Sequence, residues 1–178
     1  MLLLYRSYFL ILAYYLATIE CKCPEITPAK NIDLDKFASG TWYDVAISHN
    51  NLTNGEIFAS LTYTKKGNKI TFETAGIPKD DINYVEGSAK VLSYGKFLYT
   101  YIVGEPKEQV DNVVTIAALD DDFLSLYGCK NDDEHQEIVW VATRVEKPEG
   151  ALKAKVQNYL DTYISPYTKQ HAAWMTKF

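Results

Sequence analysis

Apolar and polar side chains alternate with a period of two from Gly40 to about residue 144. This pattern predicts strands near residues 41–48, 57–65, 69–77, 83–92, 96–104, 110–119, 123–130 and 137–144. The segments between the strands carry turn residues, as in Gly67-Asn68 and in the acidic run 120–122. Short strands at such regular spacing indicate an all-β sandwich or barrel.

The hydrophobic period changes after Pro148. Apolar side chains then recur every three to four residues, at Leu152, Val156, Leu160 and Tyr163. This spacing predicts an amphipathic helix at about 149–163, which we expect to pack its apolar stripe on the outside of the sheet. A single helical turn is also expected at 33–37, ahead of the first strand.

The N-terminus has the pattern of a signal peptide. Arg6 precedes an apolar stretch of 12 residues, Tyr8–Ile19, which is too short to span a bilayer. We therefore predict a signal peptide at 1–21, a single domain at 22–178 and a secreted, extracellular protein. The alternative is a membrane anchor, but no longer apolar run follows to support it.

Composition narrows the classes of partner. The 14 Tyr and 7 Phe suit either a partly wet cavity wall or simply a strand-rich fold. The net charge of −5, without a basic run, argues against binding to nucleic acid or to an anionic membrane surface.

Two segments and one cysteine together resemble motifs of the lipocalin family. They are GTWYDVA at 40–46, VWVATR at 139–144 and Cys129 within YGCK. Within that family the resemblance is to the group of insect bilin-binding protein, insecticyanin and apolipoprotein D. It extends from Cys23 to the C-terminal helix. The second family motif is weaker, because only an Asp of it survives in ALDDD at 118–122.

The resemblance implies an eight-stranded antiparallel up-and-down β-barrel with a C-terminal α-helix packed on its outside. It also implies a closed end built on Gly40 and Trp42, with Arg144 lying across the Trp42 ring. A disulfide between Cys23 and Cys129 is the pairing that the family pattern implies.

Alternation, with Trp42 pointing inward, selects an inner face that also includes Asp44 and Ala46. The ligand-binding candidates on that face are Phe72, Thr74, Val85, Phe97, Tyr99, Tyr101, Val103, Asn112, Val114, Ile116, Gln136, Ile138 and Trp140. By resemblance, Thr74 replaces an Asn that faces a pigment, and Tyr101 and Val103 occupy cavity positions. The alternative is that these residues fill a tight core without a ligand, because eight strands enclose an interior at the boundary between filled and hollow.

The sequence argues against catalysis and against a metal site. His49, His135 and His171 fall in a mouth loop, a hairpin tip and the tail, so an axial haem ligand is not evident, although His49 stays open as one. No grouping for a nucleophilic enzyme appears. The acidic run 120–122 is interpreted as a solvated turn rather than a calcium loop, and Asp44 with Arg144 as a structural ion pair.

We therefore expect an extracellular carrier of a small hydrophobic ligand, and by resemblance that ligand is a bilin such as biliverdin. Alternatives are a fatty acid, steroid, retinoid or carotenoid, or an interaction protein that acts through the loops at the barrel mouth. Asn51 begins the sequon Asn-Leu-Thr and is a predicted glycosylation site. No oligomer is predicted.

Overall fold

The computed structural model of the 178-residue chain describes residues 25–47, 56–78, 83–103, 107–130 and 136–164. Its elements are a short helix α1 (Leu34–Phe37), eight strands β1 (Thr41–Ile47), β2 (Glu56–Lys66), β3 (Lys69–Pro78), β4 (Asn83–Ser93), β5 (Lys96–Val103), β6 (Glu108–Leu119), β7 (Phe123–Lys130) and β8 (Gln136–Thr143), and helix α2 (Gly150–Tyr159) with a π-helical turn at Leu160–Ile164. Within these ranges no helix is long and apolar enough to cross a membrane.

The eight strands form one closed antiparallel barrel in sequence order. Each strand pairs with the next along the chain, and β1 closes the barrel against β8 through pairs such as Tyr43 with Thr143. The predicted fold is therefore confirmed, and each predicted strand matches an observed one to within about two residues. Closure leaves no exposed sheet edge among the paired strands.

Two β-bulges change which residues face inward. The β1–β8 pairing shifts between Asp44 and Ala46, and the β6–β7 pairing shifts between Ile116 and Ala118. Each bulge inserts one extra residue, so the side chains beyond it change faces. Ala46 consequently packs in the apolar cluster outside the barrel, and its predicted inward orientation is wrong.

Helix α2 packs on the outside of the barrel, as predicted. Val156 and Leu160 are 0% and 1% exposed and contact a cluster on the outer face of the sheet. That cluster consists of Val45, Ala46, Phe123 and Val141. Burying one aliphatic side chain of this size stabilises the fold by roughly 1.5–3 kcal/mol, so the narrow apolar stripe is sufficient to hold the helix in place.

One end of the barrel is closed by Trp42 and the residues around it. The Trp42 ring is fully buried, and its Nε1 donates to the carbonyl of Phe37 at 3.0 Å. The Arg144 guanidinium lies 3.4 Å from the centroid of the Trp42 ring, as the resemblance implies. It also donates to the carbonyl oxygens of Lys36 and Ser39, both at 2.6 Å, and of Thr41 at 3.2 Å.

The predicted ion pair between Asp44 and Arg144 is wrong. Among the described residues the hydrogen bonds of the guanidinium go to backbone carbonyls, and burial alone lowers the pKa of Arg144. Asp44 lies instead inside the barrel, where its charge helps to raise the pKa of Tyr63. Arg144 thus acts as a backbone clamp over the closed end.

Candidate functional site

The two ends of the barrel differ in what connects their strands. Short turns at 67–68, 94–95 and 120–122 join strands at the end that Trp42 closes. The four connections at the opposite end, the mouth, lie outside the described residues, and so do the predicted loop positions His49 and Asn51. Because the other end is closed, a ligand that enters the barrel must pass the mouth end.

On β3 and β5, exposure of the inward side chains rises from the closed end toward the mouth. Along β3, Ile70 is 2% exposed, whereas Thr74 is half-buried. Along β5, the exposed fraction is 1% at Phe97 and 6% at Tyr99, and Tyr101 is half-buried. The half-buried inward residues at this upper level are Thr74, Val85 and Tyr101. On β8 the order differs, because Trp140 is half-buried whereas Ile138, which is nearer the mouth, is 3% exposed. Side chains inside a closed barrel contact solvent only where the interior is open, so open space begins at this level.

Below that level the interior is filled by a layer of rings, here called the aromatic floor, which consists of Phe37, Tyr63, Phe72, Phe97 and Tyr99. Ring centroids lie 4.4 Å apart for Phe37 and Tyr63, 5.5 Å for Phe37 and Phe97, and 4.9 Å for Phe72 and Tyr99. These separations are typical of packed aromatic pairs. The floor therefore sets the depth to which a ligand can descend.

Gly87 on β4 allows the floor to close. A Cβ atom at this position would lie 2.4 Å from Cζ of Phe72 and 2.7 Å from the carbonyl oxygen of Thr100. Neither distance is compatible with a side chain, so only glycine lets the Phe72 ring lie against β4.

The floor carries a buried polar pair. The hydroxyls of Tyr63 and Tyr99 are 2.5 Å apart and form a hydrogen bond. Burial raises the pKa of both tyrosines, and for Tyr63 the neighbouring Tyr99 and Asp44 raise it further. Both phenols are therefore neutral at physiological pH and act as donors and acceptors. Tyr63 is not among the predicted site residues, and its inward position follows from its pairing with Phe72 across β2 and β3.

Asn112 brings an amide to the level of the floor. It pairs with Tyr99 across β5 and β6 and is 7% exposed. Its Oδ1 is buried and accepts no hydrogen bond within the described protein. Gly128 makes room for it, because a Cβ there would lie 2.9 Å from the Nδ2 of Asn112. A buried acceptor of this kind can be satisfied by a ligand donor.

The predicted ligand-binding residues thus fall into two levels. Thr74, Val85 and Tyr101 line the open upper level, and the half-buried Trp140 lies lower, beside Gly128 and Asn112. Phe72, Phe97, Tyr99, Asn112, Val114, Ile116 and Ile138 are each less than 9% exposed and build the floor or the wall around it. The side chains of Val103 and Gln136 lie outside the described residues, and so does Cys23.

The acidic turn at 120–122 is tied to helix α2. Asp120 Oδ1 accepts from the backbone N–H groups of Asp122 and Phe123, at 3.2 and 3.0 Å. Lys155 of α2 pairs with both Asp120 and Asp122. In the part of the chain that the structure describes, no cluster of three or more His, Cys, Asp or Glu side chains could hold a metal ion.

Comparison with known proteins supports the lipocalin resemblance. No family model matches the chain. It is 28% identical over 145 residues to the bilin-binding protein of Pieris brassicae, covering 78% of this chain and 75% of that protein. The solved insecticyanin of Manduca sexta superposes with a TM-score of 0.68 at 22% identity, covering 80% of this chain and 79% of the other.

A second solved structure, the tryptamine complex of the amine-binding protein of Rhodnius prolixus, gives a TM-score of 0.65 at 17% identity. It covers 78% of this chain and 79% of the other. The chain has the lipocalin fold, and its predicted resemblance to bilin-binding protein and insecticyanin is confirmed.

Proposed function

We propose that this chain is an extracellular carrier that holds a small hydrophobic ligand in the open upper level of its barrel and performs no chemistry on it. The observation that carries the proposal is the rise in exposure along the inward rows, from Ile70 to Thr74 and from Phe97 to Tyr101. The leading ligand is biliverdin or a related linear tetrapyrrole. The similarity to the bilin-binding protein of Pieris brassicae supports this choice.

Burial of apolar surface would supply most of the affinity. Tyr101 and Val85 offer aromatic and apolar contact at the upper level, and the half-buried ring of Trp140 adds to it beside Asn112. Removing apolar area from water contributes about 25 cal/mol per Å², which is about 5 kcal/mol for each 200 Å² covered. A long conjugated ligand provides that area on both of its faces.

Polar atoms at the boundary between the levels would orient the ligand. A linear tetrapyrrole carries several pyrrole N–H donors, and Asn112 Oδ1 is a buried acceptor that lacks a partner within the described protein. Thr74 adds a half-buried hydroxyl on β3. Tyr99 is the cross-strand partner of Asn112. The hydrogen-bonded hydroxyls of Tyr63 and Tyr99 therefore lie at the same depth as Asn112.

An absorption titration with biliverdin tests the proposal. A matched pair of variants places the same bulky ring inside or outside the barrel: Thr74→Trp points inward, whereas Glu73→Trp is exposed on the outer face of the same strand. We expect saturable 1:1 spectral changes for the native chain and for Glu73→Trp. Thr74→Trp is expected to lose at least about tenfold in affinity, which corresponds to 1.4 kcal/mol.

The titration has two outcomes that contradict the proposal. No spectral change with the native chain excludes the pigment, and organic extraction with mass spectrometry then tests for a fatty acid, steroid, retinoid or carotenoid. Equal affinity in the two Trp variants excludes the barrel interior as the binding site, and favours an interaction protein that acts through its surface.

We also propose export and its covalent consequences. Signal cleavage near residue 21, a disulfide between Cys23 and Cys129, and a glycan on Asn51 are expected of the secreted chain. Ile26, Thr27 and Tyr127 line the same cavity outside the barrel, and Cys129 is on the same face of β7 as Tyr127, which supports the disulfide. Intact and peptide mass spectrometry of the secreted protein checks all three features, and an unmodified Asn51 contradicts the glycan.

A further inference from the structure

A second cavity lies outside the barrel, between helix α2 and the outer face of the sheet. Its volume is about 640 Å³, within the range of small-molecule sites. Strands β6 to β8 form one wall, α2 forms the opposite wall, and Ile26 and Thr27 border it. It is separated from the barrel interior by the sheet itself.

Aromatic rings line this outer cavity, Phe123 from β7 and Tyr159 and Tyr163 from the helix. The Phe123 and Tyr159 centroids are 5.0 Å apart in a T-shaped arrangement, and those of Tyr159 and Tyr163 are also 5.0 Å apart. The Tyr163 side chain is 70% exposed, which leaves much of its ring without a packing partner among the described residues. Exposed aromatic surface of this kind favours an aromatic occupant.

The sheet side of the outer cavity is polar at its base. Ser125 is fully buried, and Tyr127 is 9% exposed. Burial raises the pKa of Tyr159, and the nearby Ser125 hydroxyl partly opposes the shift. Each hydroxyl oxygen has two lone pairs, so Ser125 and Tyr127 can accept from one donor on a ligand.

The rim of the outer cavity disfavours anions. Asp120 and Asp122 face a single ammonium group, that of Lys155. Burial would lower the pKa of Lys155, but its hydrogen bonds to the two carboxylates raise it, so the ammonium stays charged and occupied. One positive charge against two negative charges leaves no site for a ligand carboxylate or sulfonate.

We propose that the outer cavity is a second binding site, which takes a neutral aromatic molecule of two or three rings with a single hydrogen-bond donor. The rings would lie against Phe123, Tyr159 and Tyr163, and the donor would reach Ser125 or Tyr127. This site is independent of the barrel ligand, because neither its walls nor its charges are shared with the upper level of the barrel.

N-phenyl-1-naphthylamine is a suitable fluorescent probe because it combines three rings with one N–H. Its sulfonated analogue, 1-anilinonaphthalene-8-sulfonate, keeps the same skeleton and adds one negative charge. Titrations would use the full chain carrying Thr74→Trp, so that the barrel is blocked. We expect one saturable site for the amine and at least tenfold weaker binding of the sulfonate.

Adjacent helix positions provide the matched variants. Asn158 lines the outer cavity and is exposed, whereas Gln157 is exposed beside it and lies outside the cavity lining. We expect Asn158→Phe to weaken binding of the amine at least tenfold and Gln157→Phe to change it less than twofold. Ala118→Phe fills the cavity from the sheet side and is expected to weaken binding of the amine by a similar factor. It provides the test if Asn158→Phe folds poorly.

Three results overturn the proposal. They are no binding of the amine in the Thr74→Trp protein, equal binding in Asn158→Phe and Gln157→Phe, and equal affinity of the amine and the sulfonate at this site. None of them depends on whether biliverdin binds the barrel, so failure of the second site is distinguishable from failure of the carrier function.

Discussion

The closed end and the mouth end of the barrel are built from the same strands but are packed differently. At the closed end, Trp42 is fully buried and Arg144 binds three backbone carbonyls above it. Toward the mouth, Thr74 and Tyr101 on the same inward rows are half-buried. The packed part and the open part of the barrel thus occupy separate lengths of the same strands, so that changes at one end can leave the other intact.

The largest change in stability is predicted for Trp42, and it should exceed the change at Trp140, which also faces the barrel interior. Trp42→Ala removes a fully buried ring and should lower the free energy of unfolding by about 3–5 kcal/mol. Trp140→Ala removes a half-buried ring and should cost less than half as much. Urea denaturation of both variants measures the difference. Equal losses would mean that the half-buried Trp140 is packed as tightly as the closed end.

The next largest loss of stability is predicted for Arg144, the clamp over the closed end. Arg144→Ala leaves carbonyls of Lys36, Ser39 and Thr41 without this donor and should cost about 2–3 kcal/mol. Arg144→Lys should recover less than half of the loss, because an ammonium lacks the planar fork. Lys147→Ala, at an exposed position, is the control and should change stability by less than about 0.5 kcal/mol. Full recovery by lysine would show that charge alone matters.

The pH dependence of stability in alkaline solution tests whether the two tyrosines of the aromatic floor are buried. The pKa values of Tyr63 and Tyr99 are raised in the folded state, so below the unfolded value of 10.0 both states are protonated and stability is unaffected. Above pH 10 only the unfolded chain releases these protons, and stability falls by about 1.4 kcal/mol per pH unit for each tyrosine. The double variant Tyr63→Phe/Tyr99→Phe should lose that part of the slope. Parallel pH profiles would place these phenols in water.

The smallest expected change in stability is at the mouth level. Tyr101→Leu should alter the free energy of unfolding by less than about 1 kcal/mol, while biliverdin affinity falls about tenfold, or 1.4 kcal/mol. Thr100→Ala, on the outer face of the same strand, should alter neither quantity appreciably. Chemical denaturation and the absorption titration measure the two effects. A stability loss without an affinity loss would place Tyr101 in the packed floor.

Much of the fold could be predicted because alternation is strong on every strand. Trp42 and Arg144 were placed correctly, since the resemblance carries both motifs at the closed end. The bulge after Asp44 could not be predicted, because Ala46 is small and apolar enough for either face. The predicted ion pair of Asp44 with Arg144 is wrong for a different reason, because the guanidinium donates to backbone carbonyls at the closed end while Asp44 lies inside the barrel.

The depth of each site residue could not be predicted either. Alternation identifies the inward face, but it does not distinguish Val114 at 1% exposure from Thr74, which is half-buried. That distinction depends on strand tilt and on the packing of rings contributed by other strands. The outer cavity has no signal in the sequence, because it arises from the gap between α2 and the sheet.

The clamp at the closed end also has a consequence for how the chain is made. Arg144 binds the carbonyl of Ser39, from which it is separated by 105 positions. A nascent chain cannot form this contact until residue 144 has left the ribosome, and closing so long a loop is slow. Until then, β1 and its apolar side chains have only β2 beside them. Barrel closure is therefore expected late in synthesis, when the growing chain is most in need of chaperones.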